Sequence, residues 1–595
     1  MRKLKGKLFE IVAVVFCLLV LCGFVSMKQG FHMDELLSFE LSNAEFNPWI
    51  VPTQPEGRLA KFVHNEIEGE TLGETLGNLA AEVKDVLKNR GNSKLLTYQA
   101  DVYEEPVWIT ADQFRDYIQV EAGDAFHYLS VYFNVKDDNH PPLHFMLLHT
   151  VSSLFRGRAE AWMGCLINLA AVAGILILLI KSGRLLGAEL GLQGTARTVG
   201  VLAALLYGLS AGAVATVLLI RMYGLVTLWC AAYFWLILKK WRDRGFEKHN
   251  AGLILVTALG FWTQYFFLFY CILLAGTVCV LLLKDGRKKE LGCFIRSMVI
   301  AGAVGLAVFP FALSDVFSSG RGVEAMENLS RGLSGYGSRL FAFLGIVSER
   351  TSLPLLLAAL LAAAVLALVF ALLKKRRLQQ KGVIAVLDRE AGRTAGRGAY
   401  LWMLLLPPVG YFLLAARMSP YLVDRYVMPV FPFVALTAAL ALGGFLEKGF
   451  RGRYEKGAAA ALLGVTVLVQ AWGLSGYDGS YLYRGYDIQE AAAKDNAGYA
   501  CICVYEGVGY YENLKEFTWY EKTLLVTPEE LAGRQDRESI EALDRVAVLV
   551  KCDEVDVNRV QEIMEETYGF SLERWGWQGT GVHGDMLLFM SRTGD

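Results

Sequence analysis

The sequence predicts a polytopic α-helical membrane protein of about eleven transmembrane helices, with a large first outer loop and a small C-terminal α/β extracytoplasmic domain. Three observations predict it. Hydrophobic residues make up 54% of 595 positions and the mean hydropathy is positive, more than one soluble core requires. Apolar stretches of span length recur along the chain. Basic clusters punctuate them, while a net charge of -1 over the whole chain carries no information about partners.

The N-terminus, Met1-Arg2-Lys3-Leu4-Lys5-Gly6-Lys7, precedes an apolar run to Met27. A basic start followed by about twenty apolar residues, with no small-residue cleavage site near its end, reads as an uncleaved anchor. Basic clusters at Lys181/Arg184/Arg197, Lys239/Lys240/Arg242/Arg244, Lys284/Arg287/Lys288/Lys289, Lys374/Lys375/Arg376/Arg377 and Lys448/Arg451/Arg453 are expected to face the cytoplasm. Residues 198–238, 251–283 and 399–446 are each too long for one span of about 20 residues and read as hairpins. Residues 297–313 and 353–373 cross around a polar outer loop, and 457–474 leads out again. The N-terminus is then cytoplasmic and the C-terminus extracytoplasmic.

Domain bounds follow. Residues 1–474 form a transmembrane domain that includes an outer loop at 28–140, and 475–595 form a soluble domain. The apolar segment 141–155 is short for a span and would invert the side of Lys181 and Arg184 if it crossed. It reads as an interfacial helix that starts at Pro141 and Pro142. In the outer loop, Leu59, Phe62, Val63, Ile67, Leu72 and Leu76 predict a helix over 57–88 that serves a core. In the C-terminal domain, apolar runs at 500–505, 523–526, 546–551 and 585–590 predict strands, and 555–568 predicts a helix. Most of the ten cysteines lie in spans, and a bridge between Cys503 and Cys552 has no support from spacing.

This topology collects polar residues on the outer side. Asp34 and Glu35 follow the first span. Asp138 and His140 precede the interfacial helix. Arg221 and Tyr223 lie at one outer turn, Gln264 and Tyr265 at the next, and Arg417, Asp424, Arg425 and Tyr426 at a third. Outer turns are polar simply because water is there. Arg221 stands out against that reading, because the positive-inside bias depletes arginine from short outer turns.

Four segments carry a family resemblance: His32-Met33-Asp34-Glu35 after the first span, Asp138-Asn139-His140-Pro141-Pro142, Arg221-Met222-Tyr223, and Asp424-Arg425-Tyr426-Val427-Met428-Pro429. They resemble the lipid-dependent GT-C membrane glycosyltransferases, in particular bacterial relatives of the protein O-mannosyltransferases and aminoarabinose transferases. A fifth, Thr263-Gln264-Tyr265-Phe266-Phe267, is similar to a His-Tyr-Phe turn of that family, with Gln264 in place of the histidine. The likeness covers roughly the first 475 residues.

The resemblance implies transfer of a sugar, with inversion, from a polyprenyl-phosphate donor to an extracytoplasmic acceptor, at the plasma membrane and with no nucleic-acid partner. It implies Asp34 as base, with Glu35 beside it. Arg221, Tyr223, Arg425 and Tyr426 would meet the donor phosphate, and Asp138, His140, Gln264 and Tyr265 would complete the site. Glu35 either orients the base or holds a divalent ion with Asp138 and His140. A transporter or carrier of lipid-linked sugars, or a non-catalytic envelope assembly protein, is the alternative. Transporter charges, however, lie near the bilayer midplane and often accompany an internal repeat.

Overall fold

The computed structural model describes every residue except 1, 89–93, 122, 249, 318–319, 331–333, 353–393, 451–454, 554, 579–583 and 593–595. The described chain forms two compact units. The first contains Met1–Met27, Asp138–His144 and Cys165–Ser480. Seven of its helices are long and apolar enough to cross a membrane: Lys7–Val25, Ala161–Glu189, Phe267–Lys284, Lys288–Val308, Arg397–Met418, Met428–Gly449 and Lys456–Ser475. The pair Ala196–Gly208 and Ala211–Leu218 makes an eighth if it counts as one span broken by a 59° bend. The crossing expected at 353–373 lies outside the described residues.

The expected hairpin at 198–238 is three helices rather than two. The first break falls at Ser210, whose backbone is extended and whose Oγ accepts a hydrogen bond from the amide of Ala213 at 3.1 Å, capping the next helix. The second falls at Leu219, also extended, before the helix Tyr223–Asp243. Small residues let neighbouring helices touch. A Cβ on Gly183 would lie 2.8 Å from the Cα of Gly200, so helix Ala161–Glu189 meets helix Ala196–Gly208 backbone to backbone.

The second unit joins Lys28–Asp137, Phe145–Gly164 and Tyr481–Asp595. Its centre is a six-stranded sheet of β1 (Trp108–Thr110), β2 (Ala500–Val504), β3 (Lys522–Val526), β4 (Arg545–Val550), β5 (Phe570–Gln578) and β6 (Met586–Arg592), in the order β1-β3-β2-β4-β6-β5. β2 runs parallel to β3 and β4, and the other pairings are antiparallel. The runs at 500–505, 523–526, 546–551 and 585–590 are therefore strands as expected. β2 is buried along its whole length, which explains a continuous apolar run rather than an alternating one. Val560, Met564, Leu531 and Ile540 from the flanking helices, with Tyr568 just after the last of them, pack with the strands in one buried core. Cys503 and Cys552 are free thiols, so the bridge weighed between them does not form.

The loop helix expected over 57–88 is interrupted. Helix Arg58–Phe62 continues as one π-helical turn, Val63–Ile67, and the chain starts again as Leu72–Lys88. Phe62, Val63 and Ile67 are buried with Phe46 and Ala60 in a satellite core, as expected, but Leu76 is exposed. The segment expected to lie in the interface is the helix Leu143–Leu154, preceded by the two prolines.

Candidate functional site

Five segments converge in the first unit. The turn that carries Arg221 is built by Asn168, whose amide donates to the carbonyls of Leu219 at 2.5 Å and Val217 at 3.5 Å. The turn holds the Arg221 side chain only 5% exposed. Beside it lies Asp138, also buried, whose Oδ2 is 3.0 Å from Nδ1 of His140. Burial alone pushes the Asp138 carboxyl up, but the His140 ring and the Arg221 guanidinium outweigh it and hold the group below the usual aspartate value, so it is an anion. His144, one turn further on, is fully buried. Burial first, then the charges of Arg221 and His140, push its imidazole down to about 3, so it is neutral.

The start of helix Leu143–Leu154 is tied to another segment by the Leu143 amide, which donates to the Trp262 carbonyl at 2.9 Å. The Gln264 side chain caps its own turn, with Oε1 accepting from the Phe266 amide at 3.1 Å. Tyr265 donates its hydroxyl to Oδ2 of Asp315 at 2.6 Å, and burial together with that carboxylate pushes the phenol up. Asp315 is 6% exposed and belongs to the short helix Ala312–Phe317, in the stretch expected only to be a polar outer loop. The last segment arrives with Tyr426, whose ring meets those of Tyr223 at 6.2 Å and Phe266 at 5.7 Å. Its carbonyl accepts from the Tyr411 hydroxyl at 3.1 Å, and the Arg425 guanidinium lies over the Tyr426 ring at 5.5 Å.

Sequence reasoning missed Arg350, the residue that holds this segment. Its Nε is 2.8 Å from Asp424 Oδ2, and its Nη1 and Nη2 reach both oxygens of Asp478 at 3.1 Å. The available signal was an arginine next to the end of a polar outer loop, the same argument that singled out Arg221. Arg417 lies instead at the edge, stacked on Tyr336 at 5.2 Å.

Asp34 and Glu35 belong to the second unit, and the structure separates their environments. His32 caps helix Met33–Asn43, with Nδ1 accepting from the Asp34 amide at 3.0 Å while Glu35 Oε2 accepts from the His32 amide at 2.8 Å. Glu35 is fully buried on Lys28, whereas the Asp34 side chain remains 20% exposed. A cavity of about 230 Å³ lies alongside, lined among others by Lys28, Leu36, Glu160, Glu490, Lys515 and Glu516. Lys515 bridges Glu160 at 3.2 Å and Glu490 at 3.0 Å. Among the described residues no cluster of three or more His, Cys, Asp or Glu side chains is arranged to hold a metal ion. Asp138 with His140 supplies two ligands and Glu35 is committed to Lys28, so the divalent-ion option does not fit these residues.

Taken together, the described helices and the six-stranded sheet define a polytopic membrane protein with a small sheet-centred unit. It is similar to the crystal structure of ArnT from Cupriavidus metallidurans bound to undecaprenyl phosphate, with a TM-score of 0.50 over 98% of this chain and 98% of that chain, at 13% identity. The apo structure of the same ArnT aligns over 76% of this chain and 87% of its own, with a TM-score of 0.42 and 13% identity. No protein-family model and no curated protein matches the sequence.

Proposed function

We propose that the protein is a GT-C glycosyltransferase that moves a sugar from a polyprenyl-phosphate donor to an acceptor on the outer side of the plasma membrane, with inversion. The observation that carries this is the convergence of buried Arg221, the Asp138–His140 pair, Gln264–Tyr265 and the Asp424–Arg425–Tyr426 segment where the helices of the first unit turn. The full-length likeness of fold to ArnT, which was crystallised with undecaprenyl phosphate, supports the donor class.

In this reading Asp34 takes the proton of the acceptor hydroxyl. The acceptor oxygen bonds to the anomeric carbon as the bond from that carbon to the phosphate oxygen breaks. The leaving polyprenyl phosphate gains one negative charge, so the site must supply positive charge where that charge appears, and it needs no acid on the leaving group. Arg221 and Arg425 do this through the planar guanidinium fork, with Tyr223 and Tyr426 framing the site. Asp138 and His140 orient Arg221 and set the local charge. Gln264 and Tyr265 shape the adjoining turn, and Glu35 positions Asp34 from below. The basic clusters favour a cytoplasmic N-terminus, eleven crossings and an extracytoplasmic C-terminus.

The test is to incubate the purified protein with a panel of radiolabelled polyprenyl-phosphate sugars and membrane extract. Conversion of one donor to polyprenyl phosphate with label in an acceptor supports the reading, and no turnover of any donor by folded protein overturns it. Accumulation of unaltered donor inside reconstituted vesicles would assign a carrier instead.

A further inference from the structure

We propose that the first unit carries an anionic-phospholipid site at the opposite end of its helices from the candidate transfer site. The span Arg397–Met418 has Arg397 at one end and leads at the other into Asp424–Tyr426. With a rise of 1.5 Å per residue, the two ends are about 30 Å apart, a bilayer thickness. Beside Arg397 is a cavity of about 640 Å³ between this helix, helix Phe431–Gly449 and the chain after helix Ala161–Glu189. Its walls are aliphatic: Leu190, Leu192, Leu401, Leu404, Leu405 and Leu440. Leu401 and Leu405 are each 42% exposed, so the groove opens sideways, where acyl chains would be.

The charges at its mouth decide the occupant. Arg397 and Lys448 line the cavity, and among the described residues neither makes a hydrogen bond or ion pair. Glu447 also lines it, but its Oε2 accepts from the amide and the hydroxyl of Thr195 at 3.0 and 3.2 Å, which turns that carboxylate toward the protein. The Arg397 guanidinium packs closely on Gly191, whose φ is +91°: a Cβ there would lie 2.7 Å from Nη2. Among the described lining residues, two cations against one committed carboxylate leave a single positive charge at the head of an apolar groove. That matches one phosphodiester with two acyl chains, and basic pockets between transmembrane helices bind anionic headgroups. A zwitterionic lipid would set its ammonium against Arg397 and Lys448.

Neither cation has a part in the proposed transfer chemistry, so the site stands or falls independently of it. The experiment is native mass spectrometry and thermal unfolding of the full-length protein in detergent, with phosphatidylglycerol or phosphatidylethanolamine added. We expect phosphatidylglycerol to remain bound through delipidation and to raise the unfolding midpoint, with phosphatidylethanolamine at least tenfold weaker. The double variant Arg397→Gln/Lys448→Gln should lose that preference while keeping the lipid-free midpoint of the parent. Lys448→Gln alone, at an exposed position, gives a weaker form of the same loss should the double variant fold poorly. Equal retention of both lipids, retention of neither, or undiminished phosphatidylglycerol binding by Lys448→Gln and the double variant overturns the proposal.

Discussion

Lys28 and Glu35 form an ion pair with neither side chain exposed, the ammonium lying 3.1 and 2.9 Å from the two carboxylate oxygens and donating also to the Tyr481 carbonyl at 2.8 Å. Two adjacent carboxylates that sequence alone cannot rank are thereby divided, Glu35 fully buried against its counter-ion and Asp34 left partly exposed.

Asp34→Asn is therefore expected to lower sugar transfer by about 10²- to 10⁴-fold, the usual range for loss of a general base, with expression and donor binding retained. Glu35→Gln leaves a buried ammonium unpaired and is expected to cost about 3–5 kcal/mol of stability. Its loss of activity should follow the loss of folded protein. Full activity in Asp34→Asn, measured as label transferred per folded molecule, would remove Asp34 from the chemistry.

Arg221→Lys and Arg425→Lys keep the charge but lose the two-pronged donor geometry. At least one is expected to reduce donor kcat/KM tenfold or more while leaving the unfolding midpoint near that of the parent. Donor saturation curves unchanged in both would show that neither guanidinium meets the phosphate.

Glu516 gives a pH prediction. It is 7% exposed, and burial, aided by the neighbouring Glu490, pushes its carboxyl up to about 7. An acid whose folded pKa is raised binds more protons folded than unfolded. Its contribution is thus complete below the unfolded value near 4.5 and is lost as pH rises through about 7. At 1.36 kcal/mol per unit, this single group makes the second unit less stable by roughly 3 kcal/mol at pH 8 than at pH 4. Glu516→Gln should flatten that slope in urea unfolding monitored across the pH range, and an unchanged slope would count against it.

Side-directed labelling tests the orientation. A cysteine replacing exposed Glu104 in the large loop should react with a membrane-impermeant maleimide on intact cells, and one replacing exposed Glu247 should be protected until the membrane is opened. The reverse pattern would place every proposed site residue on the cytoplasmic face.

How much of this was legible depended on the range of the interactions. Val546 to Val550 and Leu524 to Val526 announced strands because a fully buried strand needs apolar residues on both faces. β5 was hidden: Arg574 and Glu573 interrupt its apolar pattern, and register shifts between Leu572 and Arg574 and between Trp575 and Trp577 spoil its alternation. The bend after Gly208 leaves no mark in hydropathy, since Leu209 and Ser210 sit in an otherwise unbroken apolar run. At the site, Arg221, Asp138, Tyr265 and Tyr426 were readable as polar residues at expected turns. Arg350 left only its place beside an expected outer loop as a signal, and Asp315 left none, because their partners lie 74 and 50 positions away, at Asp424 and Tyr265.

β1 is only three residues long, yet it closes one edge of a sheet whose other five strands all come from the last hundred residues of the chain. Trp108–Thr110 is synthesised about 400 residues before its partner Lys522–Leu524. At roughly 5–20 residues per second, the large loop waits tens of seconds outside its finished fold while the intervening helices are inserted. Biogenesis of this protein is therefore gated at its end: a stop codon before Lys522 removes not just a tail but the neighbour that the first loop pairs with. Nascent chains arrested before that point should present the loop to proteases and chaperones in a form that the completed chain does not.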